Sequence, residues 1–245
     1  MEHYTRIKGA LVTFYEELRR PESLALIVVT LVLVTRHAFA SPAWVKAMKP
    51  VWQSAAAVWG FLRFPIVHRQ VVAICLQLGV PLLALGLLHR RPLRDVGLGL
   101  GDVRFWLPLT AIIFLVQVVV IAFYLSKDPV YVGRYPSLAL ARNGGAVFWL
   151  WESSRLLYML SWEFLFRGYL LFLLEKRLGM LACVVQMVPF VIMHMVSGKP
   201  VSEVYFTLFS GILSALFVLE SRSVWPVVFL HGVGAVMLDI FIVHG

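Results

Sequence analysis

Long apolar stretches constrain this chain more than any other feature: they recur near residues 23–40, 71–88, 105–125, 147–174, 180–197, 201–219 and 223–243. Each is close to the ~20 residues an α-helix needs to cross a bilayer core of ~30 Å. Backbone groups inside lipid must be satisfied within their own segment, so the runs predict helices. With 60% apolar residues, 14% charged and a mean hydropathy of +0.85, little chain is left for a soluble domain. The expected class is all-α, a polytopic membrane helical bundle of about seven (six to eight) transmembrane helices, with residues 1–245 as one integral membrane domain. Residues 51–67 are a further candidate, but Gln53, Arg63 and Pro65 interrupt them and suit an interfacial or re-entrant segment equally well.

Residues 1–20 contain acids and no hydrophobic signal core, so they do not read as a cleavable signal peptide. Tyr4, Ile7, Leu11, Phe14 and Leu18 step by 3 and 4, which predicts either a helix lying on the membrane surface or an ordinary packed amphipathic helix. Lys and Arg number 22 against 13 acids, a net +9. Most cations sit between the apolar runs, where they anchor loops to anionic lipid, so the bilayer is the expected partner and nucleic acid is not. If the 89–104 loop is cytoplasmic, that side carries Arg90, Arg91, Arg94, Arg104, Lys176, Arg177 and Arg222 against Lys127, Arg134, Arg142 and Lys199 outside, seven to four. Cys75 and Cys183 lie inside apolar runs without metal or redox spacing and read as buried free thiols.

The first three runs carry few ionisable residues, whereas the last four hold Glu152, Arg155, Glu163, Arg167, His194, Glu203, His231 and Asp239. A charge within the hydrocarbon costs a few kcal/mol or more, so these groups are paired, hydrated or functional. At ~100° per residue Glu152, Arg155, Glu163 and Arg167 form one stripe, and Glu152–Arg155 and Glu163–Arg167 are spaced to pair. Glu203, Thr207, Ser210 and Ser214 form a second stripe, of the kind that glues membrane helices together. The midpoint between Glu163 and His194 falls in the 175–179 stretch, the expected hairpin turn, which sets both side chains ~23 Å from that turn. On straight helices His231 lies ~10 Å off their level, a gap left to helix tilt or to kinks at Pro189 and Pro226.

Glu163-Phe-Leu-Phe-Arg167-Gly168, then Phe190-x-x-x-His194, then His231 in the last run resemble the CPBP family, the type II CAAX prenyl endopeptidases and bacteriocin-processing enzymes, over residues 147–243. The resemblance implies intramembrane cleavage of a membrane-anchored protein or peptide, with water activated by a Glu and the first His. The family's first motif is Glu-Glu-x-x-x-Arg, and here Trp162 occupies the first Glu position. Its third is His-x-x-x-Asn, and here Ala235 stands at the Asn position, with Asp239 the nearest polar group on a similar face. The Trp162-Glu163-Phe164 form is similar to that of bacterial branches that include proteases processing C-terminal sorting signals, which implies a bacterial inner membrane.

Peptide hydrolysis needs a base for water, a donor for the oxyanion and a proton for the leaving amine. The expected catalytic set is Glu163 as base, His194 as its partner and proton carrier, His231 as oxyanion donor and Arg167 holding Glu163, with Glu152 as reserve base. No cofactor and no metal are expected. Two His and one Glu also match a catalytic zinc set, without the His-Glu-x-x-His spacing. A non-catalytic scaffold or immunity protein of the same fold is a further alternative, and a transporter is disfavoured by the lack of repeats.

Overall fold

The computed structural model describes residues 2–51 and 65–245, so most of the interrupted 51–67 segment lies outside the described residues. Helix α1 spans Glu2–Leu18 and α2 spans Pro21–Phe39. Pro21 suits the first helical turn, where its missing N–H leaves no bond unmade. The short α3, Pro42–Ala47, follows a Ser41 cap. Next come α4, Pro65–His89, and α5, Val103–Phe123, whose Asp102 cap accepts from the Phe105 amide at 3.1 Å. A short α6, Pro129–Arg134, precedes the central α7, Gly145–Leu178. The chain ends with α8, Leu181–Val196, α9, Val201–Ser221, and α10, Trp225–His244.

Every one of the seven apolar runs falls on a helix, and six of these are long and apolar enough to span a membrane. The sixteen-residue α8 is shorter and lies between α7 and α9. Over its most apolar window α7 is 78% buried, against 17–33% for the other long helices. It is the axis of the bundle. Its neighbours turn Ile112, Leu115, Phe123, Phe206, Phe209 and Leu213 outward, a surface that only lipid accommodates. Helix α10 packs against both α5 and α7. A Cβ at Gly232 would stand 3.2 Å from Leu156, and one at Gly234 would collide with Gln117, so these two glycines set the approach.

The turns fix which ends share a face. Gly179, at φ +54°, closes the α7–α8 hairpin, and Arg222 reaches back to Glu175 at 2.7 Å. Val224 donates to the Gly97 carbonyl, so the 90–102, 179–180 and 222–224 turns lie together. The 197–200 turn lies at the opposite end, where Arg134 donates to the carbonyls of Ser197 and Gly198 at 3.0 and 2.6 Å.

Helix α1 leaves Ile7, Leu11 and Phe14 about 60% exposed, which suits the membrane-surface alternative rather than the packed one. Of the two cysteines, Cys183 is buried as expected but Cys75 is exposed, because its face of α4 points away from the bundle. In the Glu203 stripe of α9, Thr207 is buried and its hydroxyl is satisfied within its own helix by the Glu203 carbonyl at 2.6 Å.

Candidate active site

Glu163 is the last regular residue of α7 before a widened i→i+5 segment, Phe164–Leu170. Such segments re-aim side chains and recur at functional sites. Gly168 lets it pack, since a Cβ there would stand 2.7 Å from Phe164 and 3.0 Å from the Val96 carbonyl. The Glu163 carboxylate is 2% exposed and has both oxygens engaged: Oε2 accepts from Arg167 Nη1 at 2.5 Å and Oε1 from His231 Nδ1 at 2.6 Å. An ionised carboxylate only accepts, so His231 carries its hydrogen on Nδ1 and leaves Nε2 as the free ring nitrogen. The Arg167 guanidinium rests 3.9 Å from the centre of the Phe190 ring, a cation–π contact in a buried setting.

His194 is buried on α8, and its Nδ1 donates to the Phe190 carbonyl at 2.9 Å, so its Nε2 is also free. A cleft of about 60 Å³ is lined by both imidazoles, His194 and His231, together with Tyr158, Met159, Trp162, Met193, Ser197 and Lys199. That is room for a few water molecules. The expected partnership of Glu163 with His194 is not formed among the described residues; the carboxylate bonds His231 instead. The ~10 Å depth gap is closed without a kink at Pro226, which sits in the first turn of α10. Because i→i+5 turns advance less per residue than α-helical ones, the seven-residue Phe164–Leu170 segment moves Glu163 toward the hairpin by a small part of that distance.

Trp162, at the first Glu position of the family motif, is buried and meets the His194 ring edge-on, centroids 5.5 Å apart. It fills with aromatic surface the space a second carboxylate would take. Ala235 places no amide on α10, and Asp239 does not replace it. Asp239 is fully buried and bonds Arg155, which also meets both Glu152 oxygens at 3.3 and 3.4 Å. This Glu152–Arg155–Asp239 cluster ties α7 to α10 and does not line the cleft, so Glu152 is withdrawn from the place a reserve base would need.

Two cleft groups, Tyr158 and Lys199, and one group behind the cleft, Arg36, had no motif to announce them. Tyr158 accepts a hydrogen bond from Arg36 of α2 at 3.0 Å, and the Arg36 guanidinium also lies 5.3 Å from the Trp162 ring centre. Lys199, in the α8–α9 turn, bonds Glu203 Oε1 at 2.7 Å and also the Tyr135 hydroxyl. Burial works against its charge, but Tyr135 and Glu203 outweigh burial and hold the ammonium above its ordinary value. Sequence offers one weak signal for Arg36, a lone cation near the end of an apolar run. Among the described residues no three His, Cys, Asp or Glu side chains gather as a metal-ligand group.

A bundle built on one buried helix, with a carboxylate, a guanidinium and two imidazoles gathered at a small cleft, defines a polytopic membrane protein with paired ionisable groups in its interior. Residues 144–237 match the model of a family described as type II CAAX prenyl endopeptidase Rce1-like, of the CPBP type. The matched stretch is under half of the chain and holds Glu163, Arg167, His194 and His231. It supports a multi-pass membrane protease of that type. No curated protein and no solved structure gives a significant match.

Proposed function

We propose that this protein is an intramembrane endopeptidase that hydrolyses a peptide bond of a membrane-anchored protein near the end of its span. The observation that carries the reading is the 2.6 Å bond between buried Glu163 and His231 at the wall of a cleft that His194 also faces. With both carboxylate oxygens engaged, Glu163 acts through His231 and does not meet water directly. His231 Nε2 takes a proton from the cleft water as its oxygen bonds the carbonyl carbon, and Glu163 stabilises the imidazolium that results. His194 Nε2 accepts the water's other hydrogen and orients it. When the carbon–nitrogen bond breaks, the proton on His231 passes to the departing amine. Arg167 positions Glu163. These roles differ from the sequence expectation, with His231 as base and proton carrier in place of Glu163 and His194, Glu163 as its supporting carboxylate and His194 as the group that orients water, and they keep all four residues in the site. The chemistry asks for no cofactor.

The cleft lies at the end of the bundle that carries the 197–200 turn, opposite Arg90, Arg91 and Arg94. Under the seven-to-four cation bias this end is outside the cytoplasm, which suits processing of a C-terminal sorting or anchor signal at a bacterial inner membrane. The scaffold reading has one observation in its favour, the aromatic packing of Trp162 where a second Glu would stand. Co-expression with single-span reporters carrying candidate tails separates the two: wild type shortens a reporter and Glu163→Gln does not, whereas a scaffold leaves every reporter intact in both strains.

A further inference from the structure

We infer that the Tyr158 hydroxyl is the oxyanion donor of this site and that Arg36 is its positioning residue, an assignment that rests on the protease reading above. A tetrahedral intermediate needs a hydrogen-bond donor aimed at the oxygen where charge develops. Most donors around the cleft are spent. His231 Nδ1–H is held by Glu163, His194 Nδ1–H by the Phe190 carbonyl, and the Ser197 hydroxyl by the Met193 carbonyl at 2.7 Å. Two of the three Lys199 N–H groups go to Tyr135 and Glu203, which hold the ammonium in the clasp of the α8–α9 turn, and Ala235 has nothing to donate. Trp162 Nε1–H has no partner, but that nitrogen is buried and shut off from the cleft.

Tyr158 is different. It lines the cleft and is only half-buried, and its oxygen already accepts from Arg36 Nη2 at 3.0 Å, while its own hydrogen has no acceptor among the described residues. Accepting from a guanidinium draws electron density off the phenol oxygen and strengthens its O–H as a donor. Arg36 has no acidic partner among the described residues, so its charge is not cancelled locally. It also comes from α2, outside the stretch matched by the family model. As water bonds the carbonyl carbon and its proton moves to His231, the carbonyl electron pair goes to oxygen, which accepts from Tyr158 O–H without taking the proton. When that pair re-forms the carbonyl, the carbon–nitrogen bond breaks and the His231 proton goes to the amine.

The test uses the purified full chain, a single-span reporter that wild type cleaves, and the same peptide with a phosphinate in place of the scissile amide. Tyr158→Phe, which keeps the ring, is expected to lower kcat by about 100-fold, within the range for losing one oxyanion donor. KM and the thermal midpoint stay unchanged, and phosphinate affinity falls in proportion to kcat. Arg36→Met lowers kcat about 10-fold, Arg36→Lys recovers part of it, and Arg36→Met adds nothing in the Tyr158→Phe background, because it acts through Tyr158. If Glu163→Gln is silent while Tyr158→Phe cleaves normally, the oxyanion assignment is overturned and the protease reading stands. If the two variants lose thermal stability in step with activity, the pair is a staple between α2 and α7 and the assignment also fails. If no reporter is cleaved by wild type, the protease reading itself falls and this assignment with it.

Discussion

Arg167 shows most plainly how a buried charge shapes this molecule. Its guanidinium meets Glu163 at 2.5 Å and Phe190 at 3.9 Å with almost no exposure, so removing it strands a carboxylate in a medium that cannot solvate it. Losing one partner of such a pair costs about 3–5 kcal/mol. Arg167→Ala is therefore expected to lose activity and to unfold in detergent well below wild type, whereas Arg167→Lys keeps a charge but not the planar contact and falls between them. A wild-type thermal midpoint in Arg167→Ala contradicts this account. Metal dependence is decided by the same residues. If Glu163, His231 and His194 handle the proton unaided, purified protein carries no stoichiometric zinc and keeps its rate in chelator. About one zinc per chain, lost in both His194→Ala and His231→Ala, would replace this chemistry with metal-activated water. Glu163, Arg167 and both histidines were legible because ionisable groups are rare in apolar runs. Their pairing was not, because a straight-helix estimate of depth holds no information about a widened turn.

Elements account for what position along the chain conceals. The Phe164–Leu170 segment is largely hydrophobic apart from Arg167, so nothing in its pattern separates it from ordinary helix, yet it directly follows Glu163, whose carboxylate bonds His231. The doubtful zone before α4 lies outside the described residues, whereas the seven strong runs all sit on helices, because length and hydropathy alone decide whether a segment suits lipid. The α8–α9 turn is held by an ionic clasp rather than by a core, with Lys199 on Glu203 and Tyr135 and Arg134 on two carbonyls. Lys199 has a folded-state value raised above the unfolded one, so the clasp contributes fully below the ordinary lysine range near pH 10.4 and fades as pH rises through the raised value. The gap in thermal midpoint between wild type and Lys199→Gln should stay constant from neutral pH to about 10 and close only above it. A gap that closes near pH 8 would show that the clasp does not act through the lysine charge.

At the scale of the whole molecule, a buried central helix lies among six others, five of them also long and apolar enough to span a membrane, and the candidate site groups sit on it and on two of those neighbours. The cleft is lined in part by Ser197 and Lys199 of the 197–200 turn. The side of the membrane is then a checkable property. In a background with Cys75→Ser and Cys183→Ser, a cysteine at Ser197 should react with a membrane-impermeant thiol reagent added to intact cells, and one at Arg222 should react only after the membrane is opened. The reverse pattern inverts the bundle and assigns the cleft to the cytoplasmic face.

The claim that joins these scales is that the Glu163–His231 pair drives hydrolysis at the cleft. Its most direct test is to reconstitute purified wild type, Glu163→Gln and His231→Ala in liposomes with a single-span reporter and to follow the new carboxyl terminus by mass spectrometry. Wild type should produce one defined new terminus, and both variants, assayed at a temperature where each is still folded, should be slower by about 10³-fold or more, as when the carboxylate of a carboxylate–histidine couple is neutralised. A Glu163→Gln variant that generates the same terminus at the wild-type rate would contradict the account.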